Sequence, residues 1–161
     1  MVRAVEYAIE HGINYFDTAR IYGDGKSETN LGLVLEELRT DVLVGTKVRL
    51  TAMNMQNIAQ AVIDSVEGSL TRLRRDQIDL IQLHDRIWRC RQPEQGVVGI
   101  NDIEPVVDIF QSLAEQGKVR FWGINGLGET QALHQVLSIS DIHTIQTCYN
   151  LINPTAGMQV P

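Results

Sequence analysis

Five short stretches of this chain are strand-like and largely apolar, and helical patterns lie between them. They are INYFD (13–17), VLVGTK (42–47), IDLIQLH (78–84), RFWGI (120–124) and HTIQT (143–147). Strands apolar on both faces belong inside a sheet that is covered on each side. Alternation with helices makes that sheet parallel, because each helix carries the chain back to the end from which it started. Few other arrangements bury such segments.

The intervening helices are marked by their apolar spacing. Val2, Val5 and Ile9 share a face over 2–11, and Gly12 follows where a left-handed cap residue belongs. Leu31, Val34, Leu35 and Leu38 recur at i, i+3, i+4 and i+7, with Ser27 as the expected N-cap. Ile58, Val62, Val66, Leu70 and Leu73 stripe a long third helix. Val106, Phe110 and Leu113 mark a fourth that ends at Gly117, and Leu133, Val136 and Leu137 a short fifth. Residues 85–102, with Pro93, Gly96 and Gly99, read as a long loop. No Pro/Ser-rich linker divides the chain, so residues 1–161 read as a single domain. Five strand–helix units suit either a doubly wound sheet or part of a (βα)8 barrel, and the pattern does not choose between them.

Charge and composition narrow the function. The net charge of −6 disfavours nucleic acid as a partner, since its phosphates would be repelled. The arginine groups Arg72, Arg74, Arg75 and Arg86, Arg89, Arg91 are small and interleaved with acids, and read as solvated faces. Cys90 and Cys148 lack metal or redox spacing with each other or with His11, His134 and His143, so no metal site is expected. The start of the chain lacks a signal-peptide pattern, and no apolar run approaches the roughly 20 residues of a membrane helix. The expectation is a soluble, cytoplasmic protein with no membrane partner. GKS at 25–27 resembles the end of a phosphate-binding loop, but Arg20 stands where that loop needs its first glycine.

The residues that carry chemistry sit at strand ends. Asp17, Lys47 and His84 each close an expected strand, and Tyr22 lies in the loop after the first. In a parallel sheet these ends meet on one rim, where barrel enzymes hold their active sites. A tyrosine hydroxyl, with a reference pKa of about 10, is a poor acid at neutral pH. A lysine ammonium at about 4 Å, in an effective dielectric of about 20, favours a phenolate by up to roughly 4 kcal/mol. An aspartate would keep that lysine charged and oriented, and a histidine could donate a hydrogen bond to a carbonyl oxygen. Such a set suits protonation of the alkoxide that forms when a carbonyl is reduced.

GINYFDTARIYGDGKSETNLG resembles the signature of the aldo-keto reductase family, in which a strand ending in FDTA precedes a YG-x-G-x-SE loop. DLIQLHD resembles the family's histidine strand and GKVRFWGI its next strand, in family order over essentially the whole chain. The resemblance implies a (β/α)8 TIM barrel, here partial, with about five parallel strands and covering helices. It implies Asp17, Tyr22, Lys47 and His84 as a catalytic tetrad with Tyr22 as proton donor. It further implies NADP or NAD as cofactor and a small-molecule carbonyl or alcohol as substrate. The family usually places Ser-Asn after the fourth of these strands, RFWGI, to meet the nicotinamide carboxamide; here Asn125 and Gly126 stand there, and Gln146 matches the family glutamine at the same group. The Asn-Gly version is similar to a subgroup that contains sugar dehydrogenases such as L-galactose dehydrogenase. Trp88, in the segment after His84, is a candidate substrate-wall residue. A non-catalytic, nucleotide-sensing or partner-binding relative is the alternative function.

A barrel of this type takes about 250 residues, so the resemblance implies a fragment without the first strand and the last two βα units. Those units carry the family's grip on the cofactor diphosphate, and little activity is expected of these 161 residues alone. An open five-strand sheet presents two unpaired edges and a half-exposed interior, which invite self-association.

Overall fold

The computed structural model describes residues 2–154. Helix α1 (Val2–Glu10) leads into β1 (Tyr15–Asp17), then α2 (Lys26–Leu38) and β2 (Leu43–Val48). Next come α3 (Ile58–Leu73), β3 (Ile78–Leu83), the short strands β4 (Arg86–Trp88) and β5 (Val97–Gly99), and α4 (Ile103–Glu115). Strand β6 (Val119–Asn125), α5 (Thr130–Ile139) and β7 (Thr144–Gln146) complete the described chain. The strands β1, β2, β3, β6 and β7 lie side by side in that order, every pair parallel. This is the curled wall of a partial (β/α)8 barrel, with the helices on its outer side.

Strand parity divides the sheet's two faces. Val44, Val48, Ile81, Leu83, Trp122 and Ile124 point to the helices and are buried in one core with Leu35, Val62, Val66, Leu73, Val106, Phe110 and Leu113. The alternate residues face the barrel interior, because register partners in a parallel sheet share a side. Asp17 pairs with Gly45, Lys47 with Gln82, Gln82 with Gly123, and Asn125 with Gln146. Tyr15, Leu43 and Phe121 stand on this inner face and are about two-fifths exposed.

Close helix packing explains one glycine. A Cβ on Gly32 of α2 would lie 2.6 Å from the Arg72 carbonyl and 2.7 Å from the backbone of Leu73, so only glycine lets α2 and α3 approach so nearly. Gly12, at φ +88°, ends α1 in the left-handed conformation that its position suggested.

Three readings of the sequence require correction. Ser27 is not the N-cap of α2. Gly25 takes that place at φ 84°, the helix starts at Lys26, and the Ser27 hydroxyl instead pairs with the Thr18 hydroxyl at 2.8 Å. Residues 85–102 are not a plain loop, since β4 and β5 form a small parallel sheet of their own, followed by a 3-10 turn over Ile100–Asp102. The arginines are not simply solvated. Arg91 clamps the buried Asp102 carboxylate, which also accepts from the Gly99 amide at 2.8 Å. Arg75 meets Asp79 at 3.2 Å, and Arg72 meets the fully buried Glu28 at 2.6 Å. Among the described residues no helix is long and apolar enough to cross a membrane.

Candidate active site

The rim at the strand C-termini gathers residues that are far apart in sequence. Asp17 ends β1, Lys47 is the penultimate residue of β2, and His84 follows directly on β3. Lys47 Nζ donates to Asp17 Oδ2 at 2.6 Å and to the Thr18 carbonyl at 2.9 Å. Its ammonium is almost wholly buried, so these two acceptors replace the water it has lost. Beside it, the Tyr22 ring centroid lies 5.4 Å from Lys47 Nζ. The His84 ring meets the Tyr22 ring edge-on at 6.0 Å. All four residues therefore form one cluster. Tyr22 itself is 42% exposed, open to a molecule at the barrel mouth.

The local backbone makes this convergence. The loop after β1 folds into turns closed by the Tyr22 amide on the Ala19 carbonyl and the Gly25 amide on that of Arg20. Successive positive φ angles at Gly23, Asp24 and Gly25 turn the chain tightly into α2. On the next strand, the His84 amide donates to the Val48 carbonyl at 2.7 Å, which holds the ends of β2 and β3 together.

The electrostatics differ from group to group. Burial, followed by the positive charges of Lys47 and Arg49, holds His84 below the ordinary histidine range, with Asp17 acting the other way. The imidazole is accordingly neutral at pH 7 and can donate a hydrogen bond without adding a charge. Tyr15 is pushed up to about 12, by burial first and then by the Asp17 carboxylate. Its hydroxyl stays protonated and donates to Asp17 Oδ1 at 3.5 Å. The Tyr15 ring occupies the space a side chain at Gly45 would need, with Cζ 2.9 Å from a Cβ placed there.

Asn125 and Gln146 end β6 and β7 as register partners, and the Gly126 amide donates to the Gln146 carbonyl at 2.8 Å. Asn125 Nδ2 points toward the His84 carbonyl at 3.5 Å, so the pair continues the rim beyond His84. Trp88 lies on β4 opposite Gly99, half-buried, and is not among the ring contacts that join Tyr22 and His84.

Three residues were not found from sequence. Tyr15 supports Asp17, and its only signal was its two-residue spacing from that acid on a strand. Glu28 is fully buried and accepts from Thr46 Oγ1 and Arg72 Nε, both at 2.6 Å. It fixes the start of α2, and hence the Tyr22 loop, to β2 and α3. Asp85 follows His84 and accepts from the Leu50 amide at 2.9 Å, while its other oxygen has no hydrogen-bond partner among the described residues.

Burial pushes the Asp85 carboxyl up to about 7 from 3.8. The folded chain thus holds a proton that the unfolded chain releases between those two values. Stability from this group is complete below pH 3.8 and is lost as pH rises through about 7. Asp85→Asn keeps an acceptor for Leu50 and cannot ionise. Its stability relative to the parent protein is expected to rise by about 1 to 3 kcal/mol between pH 5 and pH 8 in urea unfolding. A constant difference across that range would contradict this account of Asp85.

Comparison with known proteins adds an independent finding. Residues 1–158 match the family model described as the aldo/keto reductase family. Aldo-keto reductase YhdN of Bacillus subtilis is 33% identical over 156 residues, covering 93% of this chain and 44% of that protein. L-galactose dehydrogenase of Arabidopsis thaliana is 35% identical over 129 residues, covering 78% of this chain and 38% of that protein. The crystal structure of an aldo/keto reductase from Klebsiella pneumoniae in complex with NADP and acetate superposes with a TM-score of 0.70 at 28% identity, covering 92% of this chain and 47% of that one. The chain thus spans less than half the length of these relatives.

Proposed function

The chain belongs to the aldo/keto reductase family, and on that premise we propose that it supplies the proton-transfer site of an NAD(P)H-dependent oxidoreductase that interconverts a carbonyl and an alcohol. The observation that carries the reading is the contact chain from Asp17 through Lys47 to Tyr22, with His84 against the same ring.

Each residue has a task that follows from its surroundings. Tyr22, exposed at the barrel mouth, gives its hydroxyl proton to the carbonyl oxygen as that oxygen gains negative charge. The Lys47 ammonium stabilises the phenolate left behind, and its near-complete burial strengthens that effect. Asp17 and the Thr18 carbonyl hold the ammonium in place, while Tyr15 holds Asp17. His84, kept neutral, donates a hydrogen bond to the same carbonyl oxygen and orients it toward Tyr22. In the reverse direction the Tyr22 phenolate takes the proton of an alcohol.

The rim also suits the nicotinamide group. A carboxamide needs one donor and one acceptor, and the amide side chains of Asn125 and Gln146 offer both from register partners on the inner face. A nicotinamide dinucleotide bound there supplies the hydride for reduction, and the NADP of the Klebsiella pneumoniae relative favours the phosphorylated form. Trp88 is proposed as a substrate wall beside this rim. The Asn125-Gly126 pair and the likeness to L-galactose dehydrogenase support including sugars with aldehydes and ketones as proposed substrates.

The test is NADPH consumption by a barrel of eight units that contains this chain, over aldehydes, ketones and aldoses. Carbonyl-dependent oxidation of NADPH is expected. Tight NADPH binding with no turnover across the panel would favour a nucleotide-sensing relative instead.

A further inference from the structure

Outside the barrel wall, on the helix side of the same rim, lies a cavity of about 250 Å³. Arg20 from the Tyr22 loop, Arg49 from the segment after β2, and Asn54, Asp64, Ser65 and Arg72 line it. Three of these lining residues are arginines. Arg72 is neutralised by Glu28 at 2.6 Å, and that pair is anchored because Glu28 is fully buried. Arg20 and Arg49 form no ion pair among the described residues. Asp64 opposes them, but one of its oxygens already accepts from Gln60 Nε2 at 2.7 Å. Asp85, which senses the charge of Arg49, is buried and pushed up to about 7, so it is a weak counter-charge at neutral pH. Three guanidinium groups against Glu28 and Asp64 leave one net positive charge, in a polar cavity with hydroxyl and amide groups in its wall.

We propose that this cavity is an anion site that takes a phosphate group, held between the guanidinium groups of Arg20 and Arg49, with Ser65 and Asn54 completing the contacts. Guanidinium forks match a tetrahedral oxyanion with paired hydrogen bonds, which a single lysine does not. The volume argues for a small ion or the phosphate end of a phosphoester, since pockets for larger ligands start at about 300 Å³. The position gives the site a consequence. Arg20 stands two residues before Tyr22, and Arg49 two after Lys47. Arg49 is also one of the charges that hold His84 low, so an anion that neutralises Arg49 relaxes that hold. The site stands independently of the oxidoreductase reading, because it uses no residue of the proposed tetrad.

The experiment is titration of the 161-residue protein with inorganic phosphate, and separately with glycerol 3-phosphate, at pH 7.5 and fixed ionic strength, read by two-dimensional NMR. Amide signals of Arg20, Arg49 and Ser65 are expected to shift and saturate, while those of Arg89 and Thr130 on the far side of the rim stay still. Tighter binding of one compound over the other identifies free phosphate or a phosphoester as the source. Arg20→Gln and Arg49→Gln are expected to weaken binding by about tenfold each, the scale of one charged hydrogen bond. The His84 imidazole is expected to titrate at higher pH with phosphate present, and not to respond in Arg49→Gln. Shifts that grow linearly without saturation, or equal affinity in parent and variants, overturn the proposal. If a variant fails to fold, saturation and the His84 response of the parent protein still decide it.

Discussion

Tyr22→Phe is expected to lower carbonyl turnover by about 10²- to 10⁴-fold, the range that one positioned proton donor contributes. The change removes a single oxygen atom. The ring remains, and with it the edge contact to His84 and the face turned to Lys47. Tyr22 is 42% exposed and lies outside the core, so the fold loses little. Binding of cofactor, read by quenching of protein fluorescence, should hardly change, because Asn125 and Gln146, the pair proposed to meet the nicotinamide, are untouched. The loss should therefore appear in kcat rather than in KM, as for an interaction made only in the transition state. Turnover within a few-fold of the parent would remove Tyr22 from the role of acid.

Lys47→Met separates catalysis from folding in the same way. Methionine reproduces the length and bulk of the lysine stem, which fills the inner face between Asp17 and Gln82. A buried ion pair adds little net stability over an apolar replacement, provided that the remaining charge is not stranded. Here it is not, because the Asp17 side chain is 30% exposed and still accepts from Tyr15. Stability should fall by about 1 kcal/mol or less, whereas turnover should fall by about 10²- to 10⁴-fold as the phenolate loses its counter-charge. Thermal unfolding and steady-state kinetics on one preparation check both halves. A destabilised variant that retained activity would reverse the assignment.

The larger architecture was legible in the sequence because burial on both faces leaves a clear mark. VLVGTK and IDLIQLH could only be interior strands, and both are, shifted by no more than one residue at their ends. The rim followed, since parallel strands must present Asp17, Lys47 and His84 on the same side. What stayed hidden depends on contacts between distant segments. Arg86–Trp88 and Val97–Gly99 are three residues each, too short for any period to show, and the segment that joins them is braced by Arg91 on Asp102. Glu28 looked like an ordinary polar residue at the start of a helix, and its burial is created by Thr46 and Arg72, 18 and 44 positions away. The same holds for Ser27, a good cap by type that is drawn instead to the hydroxyl of Thr18.

The central claim is that Tyr22 and Lys47 act as one unit, and a double-mutant cycle on kcat/KM tests it most directly. The measurement compares Tyr22→Phe, Lys47→Met and the double variant in a barrel of eight units containing this chain. Without the phenol there is no phenolate for the ammonium to stabilise, so the double variant is expected within about threefold of Tyr22→Phe alone. Losses that multiply, so that the double variant falls by the product of the two single effects, would show that the residues act separately and would contradict the account.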